Sequence, residues 1–264
     1  MMGGHHAITG AAGGIAIAGT SALAFGLIDG ITTAEVVAVA FMTAGAALLP
    51  DIDHHSGTIA RSLPDVGPLP SPSEVLCRVV GRISGGHRRG THSVLGIAVF
   101  VLVTVALGRL VVPTGGTDVA LGAGLLGVLL ASFALRAFRL TGRGRVWPWV
   151  FALGAGVFFG WQFPDSGWVL PVSVGLGCAI HILGDMLTTG GVPLLWPVVV
   201  RPPQWFRRIP AVSAVWKRNG FLAVPVLGDT GSAREWVLCS AVTIYVAAAF
   251  VAEFGWLPDS AAVG

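Results

Sequence analysis

Seven long apolar stretches alternate with polar connections along the chain, and their length is that of membrane helices. Crossing a hydrocarbon core ~30 Å thick takes about twenty predominantly apolar residues in a helix. The stretches cover residues 7–28, 34–49, 93–112, 119–140, 147–163, 168–187 and 236–257, the second and fifth being the shortest. They predict an all-α, polytopic transmembrane bundle of about seven spans, with five to seven as the range. Glycines recur inside several of them, among them Gly122, Gly124, Gly127, Gly154, Gly156 and Gly160. Small residues let membrane helices approach closely, so these mark packing faces. Two connections, residues 51–92 and 188–235, are long and carry Pro64, Pro68, Pro70, Pro72, Pro202, Pro203 and Pro210. Loops of this length are usually functional or disordered. In the second, Trp196, Trp205, Phe206, Arg207 and Arg208 mix aromatic with basic character, which suits the lipid headgroup region. No internal repeat and no soluble second domain stands out, so residues 1–264 read as a single membrane-embedded domain.

Composition strengthens this picture. Of 264 residues, 54% are hydrophobic and only 11% charged, with a mean hydropathy of +0.79. A soluble domain carries about a quarter charged residues. The formal charge of +3 is ordinary for a protein with basic loops and gives no reason to expect a nucleic-acid partner; the expected partners are membrane lipids. Cys77, Cys178 and Cys239 are scattered and form no CxxC pair, so they read as free thiols. His5 and His6, not a basic segment, precede the first apolar run, and no signal peptide is expected. Of sixteen basic residues, all but Arg109 fall in alternate connections: 51–92, the 136–145 junction, and 188–235. The positive-inside rule makes that side cytoplasmic, with the N-terminus inside and the C-terminus outside a plasma or inner membrane. Trp147, Trp161, Trp168, Trp236 and Trp256 sit near span ends, where interfacial aromatics belong.

The polar residues that remain are few and gathered. His181 and Asp185 are four apart in a membrane-length apolar run and share one helix face. An imidazole and a carboxylate are costly there without a partner or a metal. All seven histidines fall in four groups: His5–His6, His54–His55, His87 with His92, and His181. The predicted topology puts each at the cytoplasmic ends of the spans, together with Asp51 and Asp53. Such ligands suit zinc, manganese or iron, whereas calcium prefers oxygen alone. Two carboxylates plus several imidazoles exceed the needs of one tetrahedral ion, which points to two or three ions. Each block has a bland reading: a helix-ending turn at Asp51–Asp53, an interfacial His6, a topology-setting basic loop at 86–93, a self-contained His181–Asp185 pair. Those readings together require every histidine to reach one membrane face by coincidence.

The blocks His6–Gly10, Leu49–His54, His87–Ser93 and His181–Asp185, followed by Thr188, Gly191–Pro197 and more weakly Thr230–Ser232 with Glu235, resemble the YdjM-type membrane-bound, metal-dependent hydrolases, a LexA-regulated family of bacterial inner-membrane proteins. The resemblance runs in order from position 6 to about 236. It implies His6, Asp51, Asp53, His87, His92, His181 and Asp185 as the polar constellation. The family pattern carries one arginine before the glycine of its His-to-His block, whereas Arg88 and Arg89 both precede Gly90 here. The family is also distantly similar to zinc-dependent phospholipase C and related trinuclear-zinc nucleases, on sparse His/Asp positions that fix no substrate.

The leading expectation is thus a metal-dependent hydrolase cleaving a lipid or other phosphoester at the cytoplasmic face with an activated water, zinc being the first choice of divalent metal. His6, Asp51, Asp53, His92, His181 and Asp185 would be metal ligands. Arg88 or Arg89 would stabilise developing charge, and His87 would be a ligand or general acid. His54 and Glu235 would be supporting residues or further ligands, and His5 and His55 peripheral. The alternative is a non-catalytic, metal-stabilised membrane or regulatory protein. A transporter fits less well, because transport sites lie near the bilayer midplane in repeated halves.

Overall fold

Every one of the seven apolar stretches holds a helix. The computed structural model describes residues 1–28, 30–63, 68–140, 146–162 and 167–255. In order these form α1 (Gly3–Ala18), α2 (Thr33–Ala46), a 3₁₀ turn at Leu49–Asp53, α3 (Pro72–Ile83), a second 3₁₀ turn at Gly90–His92 and α4 (Val94–Gly108). A β-hairpin follows, β1 (Val112–Thr114) and β2 (Thr117–Val119), then α5 (Leu121–Ala137), α6 (Trp147–Gln162) and α7 (Val169–Met186). A 3₁₀ turn at Phe206–Arg208, the short α8 (Pro210–Val215) and α9 (Ala233–Glu253) complete the chain. The protein is 61% helical. Pro64, Arg143, Arg145, Phe163, Trp256 and Leu257, used in the sequence reading, lie outside the described residues.

Three helical segments, Thr33–Asp53, Val169–Met186 and Ala233–Glu253, are long and apolar enough to cross a membrane; α4, α5 and most of α6 are apolar but shorter. At 1.5 Å per residue, α4 spans only about 22 Å. The first stretch also departs from its expected limits. Hydropathy starts it at residue 7, but α1 begins at Gly3, with His5 and His6 buried inside the bundle and His5 paired with Glu235. It stops at Ala18, where Gly19 turns to extended backbone.

The central element is α2, which packs against α1, α5 and α7. Thr32 and Glu35 start it with a reciprocal capping box. Glycines permit the close crossings: a Cβ at Gly14 would lie 2.7 Å from the Ala40 Cα, and one at Gly177 would lie 2.7 Å from the Ala47 nitrogen. Val39, Met42, Leu130, Val174 and Cys178 are among the side chains filling the space between α2, α5 and α7. Helices α1 and α9 run parallel, joined near their starts through Glu235 and near their ends through Glu253.

The long connections are folded. Ser71 caps α3, accepting from the Glu74 N–H, with Pro72 in the first turn. This helix rests on the 3₁₀ turn that ends α2. Backbone pairing of Val192 with Leu222, and of Leu187 and Thr189 with Leu227 and Gly228, ties the second connection to the end of α7.

Candidate metal centre

The sequence at each helix end explains how its polar side chains reach one place. Pro50, lacking an N–H, converts the end of α2 to a tight turn that carries Asp51 and Asp53. Ser93 caps α4, accepting from the Gly96 N–H at 3.1 Å and donating to the Gly90 carbonyl at 2.6 Å, which sets the orientation of the Thr91–His92 pair before it. The last two turns of α7 supply His181 and Asp185, and the first turn of α1 supplies His6.

His181 Nδ1 lies 2.7 Å from the Ala47 carbonyl, which can only accept, so Nδ1 donates there and Nε2 is the nitrogen left facing the cluster. At His92 the same logic applies. Thr91 spends its one hydroxyl proton on Asp53 Oδ2 at 2.7 Å, so its oxygen accepts from His92 Nδ1 at 3.1 Å. The two remaining nitrogens, His92 Nε2 and His181 Nε2, face each other 3.1 Å apart in a fully buried position. Asp51 Oδ1 is 3.7 and 3.8 Å from them, and Asp185 Oδ2 is 3.6 Å from each. Ligand atoms ~2.1 Å from a tetrahedral metal are about 3.4 Å apart, so the separations of each carboxylate oxygen from the two ring nitrogens are near those of a coordination shell.

His6 stacks on His181 at 3.7 Å, and its Nε2 is 3.3 Å from Asp185 Oδ1. Neither His6 ring nitrogen makes a hydrogen bond among the described residues, although both are buried. Leaving such groups unsatisfied costs ~1–3 kcal/mol each, which a metal ligand bond would remove. Two groups offer donors within 4.8 Å of one another: Asp51, Asp53, His87 and His92; and His6, His181 and Asp185. The residues therefore fit a divalent metal.

Asp53 is engaged differently. Its Oδ1 accepts from His87 Nδ1 at 2.7 Å, while Oδ2 accepts from the Arg88 N–H at 3.0 Å and from Thr91. Burial favours neutral His92, but Asp51 and Asp53 outweigh it and raise its pKa to about 9. Arg88 is the arginine that enters: its Nη2 donates to Asp185 Oδ1 at 2.9 Å, whereas Arg89 is exposed. Arg88 adopts a left-handed backbone (φ 58°), unfavourable for a residue with a Cβ and held here by its two carboxylate contacts. The chain's first amino group also lies 2.5 Å from Asp185 Oδ1.

His54 and His87 stand together at the edge, rings 4.5 Å apart. Burial and the neighbouring His87 lower the His54 pKa. Both line a cavity of about 620 Å³ that also meets Asp51, Arg61, Arg88 and Arg136. Glu235 lies beside the cluster rather than in it, accepting from His5 Nδ1 at 2.5 Å and the Met2 N–H at 2.8 Å. His5, expected at the periphery, is therefore buried and paired; His55 is exposed as expected. Cys77 is no nucleophile candidate, since burial pushes its thiol up to about 11. The sequence reading missed Thr91, Arg61 and Arg136. Thr91 adjoins His92 and could have been flagged as a hydroxyl partner; nothing local distinguishes the two arginines from topology-setting charges.

Fold and site together define a class: a helical membrane protein with an imidazole–carboxylate cluster, able to hold divalent metal, buried at one end of its bundle. More narrowly, the chain belongs to the YdjM inner membrane protein family, whose model matches residues 1–255. No curated protein and no solved structure matched the chain.

Proposed function

We propose that this protein is a membrane-embedded, metal-dependent hydrolase that cleaves phosphoesters at the cytoplasmic face, with zinc as its metal. The observation that carries the reading is the pair of His92 and His181 Nε2 atoms 3.1 Å apart, each with its other nitrogen committed as a donor. Ring nitrogens so close need a proton or a metal cation between them, and the Asp51 and Asp185 carboxylates beside both favour a cation. In this reading Asp51, His92, His181 and Asp185 form the inner ligand set and His6 extends it toward a second ion. A bound divalent metal would supply Lewis acidity and a nucleophilic water at neutral pH.

The protein's own groups supply the rest. Asp53 acts as a positioning residue, holding the rings of His87 and His92, the kind of support that orients metal ligands. Arg88, already against Asp185, can turn its charge to a phosphoryl oxygen. His87, with Nδ1 fixed on Asp53 and its side chain 39% exposed, keeps Nε2 for delivering a proton to the leaving oxygen. Arg61 and Arg136 make the cavity attractive to an anion. Glu235 serves α1 by holding His5, and His54 supports His87.

The non-catalytic, metal-stapled alternative is favoured by the complete burial of His92 and His181. Against it, Asp51 opens onto the cavity, and catalytic sites differ from structural ones by such an open position. We further infer one domain of seven crossings with the N-terminus and the site on the cytoplasmic side. The support is that the starts of α1, α4 and α9 and the ends of α2 and α7 share one end of the bundle, as alternating crossings require. The test is hydrolysis of bis(p-nitrophenyl) phosphate by detergent-purified protein. The expected result is activity removed by chelation, restored by zinc and lost in Asp51→Asn. Zinc-loaded wild type with no phosphoesterase activity would contradict it.

A further inference from the structure

Helix α3 has three faces rather than two. Ser73, Cys77 and Ser84 at its end turn inward and are buried. Val75, Leu76, Val79 and Ile83 form an exposed apolar stripe, Ile83 being 76% exposed. Arg78 and Arg82, four residues apart, form an exposed basic row alongside it, with Glu74 paired to Arg78 at 2.5 Å. A membrane span explains exposed apolar side chains on α4 or α9, but α3 has only twelve residues and three charges. An apolar stripe beside a basic row is instead the signature of a helix lying in the plane of the membrane surface.

Two observations connect this helix to the metal centre. A Cβ at Gly81 would lie 2.7 Å from the Asp53 carbonyl oxygen, so α3 seats directly on the residue that holds His87, Thr91 and His92. A second cavity, of about 700 Å³, is lined by Arg78 and Arg82 on one side and by Asp53, His54, His55 and His87 on the other. At its rim, Gly85 lies against Trp196, an aromatic of the other long connection.

We propose that α3 is a membrane-surface helix that buries its Val75–Leu76–Val79–Ile83 stripe among lipid chains and binds the phosphate of an anionic phospholipid with Arg78 and Arg82, at the rim of the second cavity. Charge complementarity selects this occupant: the stripe is bordered by guanidinium groups, which pair with phosphate oxygens. The docking site does not depend on the hydrolytic reading. It places a lipid headgroup at the rim of a cavity that His87 also lines, whether or not that headgroup is cleaved.

The test places an environment-sensitive fluorophore on Val79→Cys of the full chain; Cys77, Cys178 and Cys239 are buried and leave position 79 as the accessible thiol. The protein is reconstituted in phosphatidylcholine vesicles with and without phosphatidylglycerol. The expected result is strong quenching by spin-labelled lipid and several-fold weaker quenching by acrylamide than for the same label on exposed Asn219→Cys. Energy transfer to a fluorescent phosphatidylglycerol should exceed that to a matched phosphatidylcholine, and the Arg78→Gln/Arg82→Gln double variant should remove the difference. Acrylamide access equal to that at position 219 would overturn the proposal, as would shielding without any preference for the anionic lipid. Quenching by spin-labelled lipid no stronger than at position 219 would place the stripe away from the bilayer, against a protein partner, and also overturn it.

Discussion

The two ends of α9 each bury a glutamate, yet the surroundings differ. Glu253 accepts from the Thr20 and Ser21 backbone N–H groups and from the Thr20 hydroxyl, so its charge is met by fixed donors next to the end of α1. About 27 Å away along the helix axis, Glu235 borders a cluster where carboxylates face imidazoles whose other nitrogens are already committed. At one end the carboxylate's own oxygens are satisfied by donors from Thr20 and Ser21. At the other, neither His6 nitrogen makes a hydrogen bond among the described residues, its Nε2 resting 3.3 Å from Asp185 Oδ1, and the His92 and His181 nitrogens meet 3.1 Å apart, where only a proton or a cation can join them. A buried carboxylate is thus structural when fixed donors satisfy it, and becomes a candidate ligand where several ring nitrogens and carboxylates crowd together.

That contrast can be broken by substitution. Asp185→Ala removes the carboxylate shared by His6, Arg88, His92 and His181, and the loss of a buried ionic partner should cost about 3–5 kcal/mol. Thermal unfolding in detergent should show it, and chelator should lower the wild-type midpoint while leaving that of the variant unchanged. Arg88→Ala should keep the metal and reduce phosphodiester hydrolysis by about 10²–10³, seen as a fall in kcat. Asp53→Asn should weaken metal affinity by about 10–100-fold in competition with a chromophoric chelator, because it orients ligands without being central among them. The smallest effect belongs to the distal end. Glu253→Gln should cost about 1–2 kcal/mol of stability and leave metal content and chelator response untouched. Chelator sensitivity in that variant alone would erase the distinction between the two ends.

How far the sequence carries this picture depends on the kind of interaction. The seven apolar helices are legible because each lies in a long apolar run, and the His/Asp blocks are legible because polar residues are rare in such a chain and each block stands at a helix end. Helix α3 escapes such a reading: its signal lies in the Ser71–Pro72–Ser73–Glu74 start and the 75, 76, 79, 83 spacing, not in run length. The division of labour within the site is also hidden. Asp51 and Asp53 look alike in sequence, but only Asp53 meets His87, Thr91 and the Arg88 N–H. The His181 tautomer is set by the Ala47 carbonyl, a backbone atom that no residue type announces. Arg88 and Arg89 are told apart by a left-handed backbone at residue 88 that nothing in the arginine pair foretells.

The most direct test of the central claim is elemental analysis of detergent-purified wild type beside Asp185→Ala, both expressed in metal-replete medium. The account predicts one or more divalent transition-metal ions per chain in the wild type and background levels in the variant. A folded wild type that holds no more metal than Asp185→Ala would contradict it.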